Sequence, residues 1–298
     1  MNVTRVTLIG QSSQSLSNVQ SAAARLASMQ NQLSSGKRIT TSSDDPGGTV
    51  TAMGLRSTLS RSDQYADASS DALAWLSTAE SAYSQSVDVL TKARTLVVQA
   101  LNSGTNDASS NAAMAAQLDG LRSTLLTMAN SSYDGRPVFG GTTAGSVAYD
   151  ASGSYVGDDG TVARVIAPRT TVSVAATGPQ VFGSDDDGTS VFTMLSQLSD
   201  TLRNSPGSLT GTALDDMDAA LSRVSSAQAA EGSTYQQVQR VTTARTTSDS
   251  SVTARLSEIE QVDYADMAIK TASANLAYNA SIQTTANIGR HSLLDFLS

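Results

Sequence analysis

The 298 residues include no cysteine, which excludes disulfides and thiolate metal sites. A cysteine-free chain suits the cytosol and the cell exterior equally, so this does not locate the protein. Aromatics make up 4% and charged residues 15%, with one Trp and four Phe. Such a composition argues against a large isotropic core and favours thin seams between long helices. There are only three lysines (Lys37, Lys92 and Lys270), and the net charge is -8 with a pI near 4.6. Nucleic acid binding needs clustered cations to displace counterions, so that class is disfavoured. No run of ~18 apolar residues is present to span a bilayer. The start, "MNVTRVTLIGQSSQSLSNVQ", lacks the basic-then-apolar order of a cleaved Sec signal.

Helix breakers are missing from three long tracts. Residues 11–35, 55–103 and 233–288 contain neither Gly nor Pro, whereas twelve of the 21 glycines fall in 135–211 and all five prolines in 46–206. That partition predicts helical ends around a non-helical insertion. The tracts carry 3,4 spacing. Leu16, Val19, Ala23, Leu26 and Leu33 mark the first stripe, interrupted by Gln30. Leu73, Leu76, Tyr83, Val87, Leu90, Val97 and Leu101 mark the second, with Glu80 and Arg94 as polar exceptions. Further stripes run from Met114 to Met128, from Val191 to Leu202 and from Leu214 to Ile259. Narrow stripes of this kind suit a bundle or coiled-coil seam. Residues 141–189 differ: β-branched runs at 161–166 and 170–174 lie between Asp-Gly, Pro and Gly-Pro turns. Four or five short strands, protruding from the bundle, are expected there.

The predicted fold is therefore mainly α: long heptad-type helices forming a terminal coiled coil and a helical bundle, with a small inserted β-rich domain. Residues 1–44 and 262–298 are the coiled-coil segments that pair, 45–140 and 190–261 the two halves of the bundle, and 141–189 the insertion.

The motifs that suggest chemistry do not survive inspection. "SSGKRIT" has the Gly-Lys of a phosphate loop, but Gly would be needed at Asn31 and Ser or Thr at Arg38. A helix–loop–helix turn fits better, with Gly36 past the end of one helix, Lys37 and Arg38 at its negative end, Asp45 as N-cap and Pro46 opening the next. Asp158-Asp159-Gly160 and Asp185-Asp186-Asp187-Gly188 lack the spacing of a calcium loop and match turn chemistry. His291 is the sole histidine, so no site of two or more histidines exists within the chain. A Ser-His-Asp triad has no strand–turn–helix context around it, and the paired carboxylates of a glycoside hydrolase have no aromatic-lined setting. Trp75 sits one residue off its seam, where packing at the bundle edge is expected. No cofactor and no catalytic role are expected.

Both termini combine apolar stripes with very little charge. Residues 1–35 contain only Arg5 and Arg25 as charged groups, and 267–298 only Lys270, Arg290 and Asp295. An isolated helix of this kind is marginal in water, and each buried Leu or Ile returns about 1.5–3 kcal/mol. The termini are thus expected to pair with each other, with neighbouring copies, or with both. The expected assembly interface is Leu16, Val19, Ala23, Leu26 and Leu33 on the first helix and Lys37, Arg38, Asp44 and Asp45 at the turn. On the last helix it comprises Ile269, Leu276, Ile282, Leu293, Leu294, Phe296 and Leu297.

The stretch beginning "LSSGKRITTSSDDPGG" and the ending "VDYADMAIKTASANLAYNASIQTTANIGRHSLLDFLS" resemble the two terminal regions of bacterial flagellin-like proteins. Asp44-Asp45-Pro46, "YDGRPVFGGT" and the final Ser-Leu-Leu-Asp-Phe-Leu narrow the resemblance to the hook-associated protein 3 family. Gly47 and Gly48 depart from it and should loosen the start of their helix. The resemblance implies a structural adaptor in the extracellular flagellum, exported by the flagellar type III system without a cleaved signal. It also implies the partners: hook-associated protein 1, flagellin, copies of itself in a ring, and a cytoplasmic export chaperone, with no nucleic acid and no membrane insertion. A filament flagellin is the near alternative, and a secreted binding module using the β insertion a more remote one. A helical signalling protein lacks a membrane span and an output domain.

Overall fold

The computed structural model describes residues 8–102 and 107–297, with side chains described at all of these except 8, 9, 11, 12 and 288–297. The chain is mainly helical with a small β part. In order come α1 (Leu8–Ser35), α2 (Pro46–Asn102), α3 (Ala108–Ala129), β1 (Ser132–Tyr133), β2 (Arg136–Pro137), β3 (Ala163–Ala167), β4 (Thr170–Ser173), α4 (Gly178–Phe182), α5 (Val191–Asn204), α6 (Thr212–Glu260) and α7 (Tyr264–Leu297). Two compact units result, one of Met1–Ser60 with Ser248–Ser298 and one of Arg61–Thr247.

Within the second unit, the long α2 shows how small residues set the packing. Among its buried positions, Ala72, Leu76, Ala79, Tyr83, Ser86, Leu90, Ala93 and Val97 keep a 4,3 alternation of small with large. The large members were legible in the sequence. The other half of the repeat lies one residue earlier than expected, on Ala and Ser rather than on Leu73, Glu80, Val87 and Arg94. Glu80 and Arg94 are thus not exceptions in the seam. Glu80 is exposed, and Arg94 reaches Asp218 on α6 at 2.6 Å. Trp75 is not at an edge either. It is 1% exposed, edge-on to Tyr133 at 5.9 Å with the Arg136 guanidinium 6.0 Å from its ring centre.

The segment 141–189 shares the helices' core. Tyr83 meets Phe139 edge-on at 5.3 Å, Phe139 meets Phe182 at 5.3 Å, and Tyr149 packs on Phe192 at 4.8 Å. Few aromatics are present, but most of the Phe gather here, and edge-to-face pairs add about 0.5–1.5 kcal/mol each beyond burial. Asn130, at the end of α3, fixes the segment: its Oδ1 accepts from the amides of Ala148 and Tyr149 at 2.8 Å and its Nδ2 donates to the Tyr149 carbonyl. Within 141–189 only β3 and β4 are strands, paired antiparallel with a bulge at Ile166. Apart from the short helix α4 the rest is turn and loop, because carboxylates capture the backbone. Asp150 accepts from the amides of Ser152 and Ser154, and Asp158 from those of Thr142 and Gly160. The Asp158 bonds account for the first acidic cluster as a turn, and the Gly188 amide, donating to the Asp185 carbonyl at 3.1 Å, closes a turn at the second. Among the described residues no group of His, Cys, Asp and Glu could hold a metal ion, and no helix is long and apolar enough to cross a membrane.

Candidate functional site

The first unit contains the terminal helix pair and the two turns behind it. α1 packs along α7. On α1 the half-buried positions include Ser15, Val19, Ala22, Leu26, Met29 and Leu33, flanked by Ala23 and Gln32, and on α7 the covered ones are Met267, Thr271, Ala274, Tyr278, Ser281 and Thr285. Both sets keep 3,4 spacing, the pattern of a coiled-coil seam. Val19, Ala23, Leu26 and Leu33 are half-buried as a seam requires. Leu16, 55% exposed, is not.

α7 repeats the register shift of α2. Three of the sequence's large residues are outside: Ile269 is 68% exposed, Leu276 72% and Ile282 41%, while Thr271, Ala274, Ser281 and Thr285 join Met267 and Tyr278 in the seam. At about 100° per residue, Ile269, Ala272 and Leu276 form a stripe on the side away from Met267, Ala274 and Tyr278. Ile282 lies beside the seam. The outer surface of α2 in this unit adds Val50 and Met53, both largely exposed. Leu293, Leu294, Phe296 and Leu297, like His291, lie outside the residues whose side chains are described.

The turn from α1 to α2 forms as its residue types dictate. Gly36 takes φ +67°, and a side chain there would strike the Tyr264 hydroxyl. Asp45 caps α2, its Oδ1 accepting from the Gly48 amide at 2.8 Å. Gly48 does not loosen this helix start. A Cβ at Gly48 would lie 2.5 Å from the Asp45 carboxylate and 2.8 Å from Ile39, so the glycine makes room for the cap. Asp44 accepts from the amides of Thr40 and Thr41 and from the Thr40 hydroxyl. Those bonds, the Thr41 amide foremost, hold its carboxyl down at about 2. The Gly48 amide and then Arg38 lower Asp45 in the same way.

This turn is stitched to the turn between α6 and α7. The Arg38 amide donates to the Glu260 carbonyl at 2.7 Å, the Val262 amide to the Gly36 carbonyl at 3.1 Å, and Lys37 and Gln261 form a β-bridge. The Arg38 guanidinium bonds the Ile259 carbonyl and Asp45, and Arg56 bonds Glu260 at 2.8 Å. Arg38 is therefore committed within its own chain. Lys37 remains exposed beside a cavity of about 540 Å³ lined also by Thr40, Thr41, Met53 and Arg56. The second turn was hard to read because it lacks Gly and Pro. Its signal is Asp263, whose carboxylate accepts from the Ala265 and Asp266 amides as the cap of α7.

Chemically, the site offers two helices joined by a 3,4 seam, an apolar outer stripe, and a double turn stitched by main-chain hydrogen bonds. That arrangement leaves an apolar stripe uncovered, and among the described residues it assembles no nucleophile, base and acid.

Comparison with known proteins agrees with this anatomy. Residues 7–144 match the bacterial flagellin N-terminal helical region. Flagellar hook-associated protein 3 of Salmonella typhimurium is 32% identical over 173 residues, covering 57% of this chain and 54% of that protein. Its Escherichia coli namesake is 30% identical over 155 residues, covering 51% and 49%. The chain thus spans about half the length of the curated relatives it matches. The fold is shared with a putative flagellar hook-associated protein from Vibrio parahaemolyticus (TM-score 0.67, 19% identity, 73% of this chain and 100% of that one). It is also shared with flagellar hook-associated protein 3 from Legionella pneumophila (TM-score 0.60, 16% identity, 69% and 98%). The chain is thus similar over residues 7–144 to the bacterial flagellin N-terminal helical region, and over about half its length to flagellar hook-associated protein 3.

Proposed function

We propose that the chain is a structural component of the bacterial flagellum, an adaptor at the hook–filament junction that assembles through its terminal helices. The carrying observation is the outer stripe of α7. Ile269 and Leu276 stand exposed on a helix whose own seam is mostly Ala, Ser and Thr, with Met267 and Tyr278. Fully burying such side chains returns about 1.5–3 kcal/mol each, so a neighbouring copy in a ring gains what the single chain leaves uncovered. Sparse charge at both ends keeps repulsion between copies low. Hook-associated protein 1 and flagellin are the expected neighbours below and above, reached after export through the flagellar type III system with a cytoplasmic chaperone. On this reading the protein is extracellular and has no catalytic role or cofactor.

The paired substitution Ile269→Ser with Leu276→Ser tests this. The isolated protein should keep its helical content and melting temperature, while cells carrying it should form hooks that shed or lack filaments. Unchanged filaments with the variant present at the junction would sink the reading. The filament-subunit alternative draws on the match to the flagellin N-terminal region, and counting copies per sheared flagellum by quantitative mass spectrometry separates the two.

A further inference from the structure

Glu231 on α6 is 8% exposed, and its Oε1 is buried without a well-formed hydrogen bond, as is the Tyr83 hydroxyl that faces it from α2. Unpaired carboxylates are rarely buried, because leaving water costs the ion far more than the neutral acid. A second carboxylate, Glu80, also faces Glu231 from α2 and is held there by Gln228 at 2.8 Å. Beside Glu231 opens a groove of about 750 Å³, walled by Ala175, Ala176, Ala227 and Ala230. The 173–180 wall of this groove contributes no titratable group. Along α6, Arg223 lines the same groove two turns earlier, bonded to the Thr189 carbonyl, and Tyr235 follows one turn later.

We propose that Glu231 is a proton-operated latch: protonated, it lies buried against Tyr83 and ties α6 to α2, and on ionisation it leaves for the adjoining groove and loosens that contact. Three features of the geometry support it. The site offers Glu231 no cation, Glu80 opposes a second negative charge, and the groove gives the ion a route to water. Burial, with Glu80 adding to it, raises the carboxyl from its ordinary 4.5 to about 8. Between those values the folded chain holds a proton that the unfolded chain has lost. Stability therefore falls as pH rises through this window, by up to about tenfold in the unfolding equilibrium constant per pH unit, and is level above it.

The test is urea unfolding of the full chain from pH 6 to pH 9, comparing wild type with Glu231→Gln and Glu80→Gln. Relative to Glu231→Gln, wild type should lose stability by about fiftyfold in equilibrium constant between pH 6 and pH 8. In Glu80→Gln that loss should level off at lower pH, because removing a neighbouring negative charge lowers the carboxyl's proton affinity and shrinks the window from above. The decisive sign is therefore read directly: the Glu231 carboxyl carbon, followed by NMR in the wild-type chain, should titrate near pH 8 and, in Glu80→Gln, at lower pH. Parallel stability profiles for wild type and Glu231→Gln overturn the latch, as does a wild-type carboxyl midpoint below 6. The NMR titration decides alone if Glu231→Gln fails to fold.

Discussion

The guanidinium of Arg38 donates to the main-chain carbonyl of Ile259 at 2.9 Å, across 221 residues of sequence. The same group bonds Asp45 at 3.0 Å, so one side chain joins the end of α6 to the cap of α2. What looks in the sequence like half of a phosphate loop is one side of a two-turn joint.

Arg38→Ala should destabilise the terminal unit by about 1 kcal/mol, since the bonds are charge-assisted but the side chain is partly solvated. Hydrogen exchange checks it: the amides of Arg38 and Val262, which cross the joint, should lose protection. Arg38→Lys should recover little, because an ammonium cannot fork to two acceptors.

Two glycines of α2 should respond in opposite directions to the same substitution. Gly54→Ala meets nothing within 4 Å and should stabilise by about 0.5–1 kcal/mol. Gly48→Ala sets a Cβ against Asp45 and Ile39 and should destabilise despite alanine's helix preference. Thermal denaturation of the pair gives the comparison.

The seam of α2 can be tested by size. Ala93 is fully buried, so Ala93→Leu should cost about 1–3 kcal/mol through overpacking. Leu90→Ala, at the neighbouring large position, should cost about 2–5 kcal/mol. If the seam instead ran through Arg94, Ala93→Leu would be nearly neutral in urea unfolding.

Asp44 should show the lowest carboxyl midpoint in the joint, at about 2 by NMR titration. Its folded value is depressed, so its contribution is present above the usual 3.8 and fades as pH falls through 2. Thr40→Ala, which removes the hydroxyl bond, should raise that midpoint.

Much of this was legible from residue types alone. Breaker-free tracts located the long helices, and Gly36, Asp45 and Pro46 defined their first turn. The terminal helices pair as their low charge and apolar stripes led one to expect. Register was the harder part. In α2 and α7 half of each seam is Ala, Ser or Thr, which carries no hydrophobic signal, so large neighbours such as Val87 and Ile269 drew the stripe one or two positions aside. The β segment read as a separate insertion because turn signals dominate it. Its attachment depends on Asn130, Tyr149 and Phe182, whose meeting is a matter of tertiary contact. The second turn of the joint was hidden for want of any breaker but Asp263.

The account rests most heavily on the outer stripe of α7, and the absence of cysteine makes it directly testable by site-specific cross-linking. A photoreactive maleimide would be attached to Leu276→Cys or, as a seam control, to Ala274→Cys, in protein assembled into flagella. The account predicts that position 276 cross-links to a separate polypeptide, chiefly another copy, whereas position 274 cross-links within its own chain to α1. Cross-links from 276 confined to its own chain would contradict it.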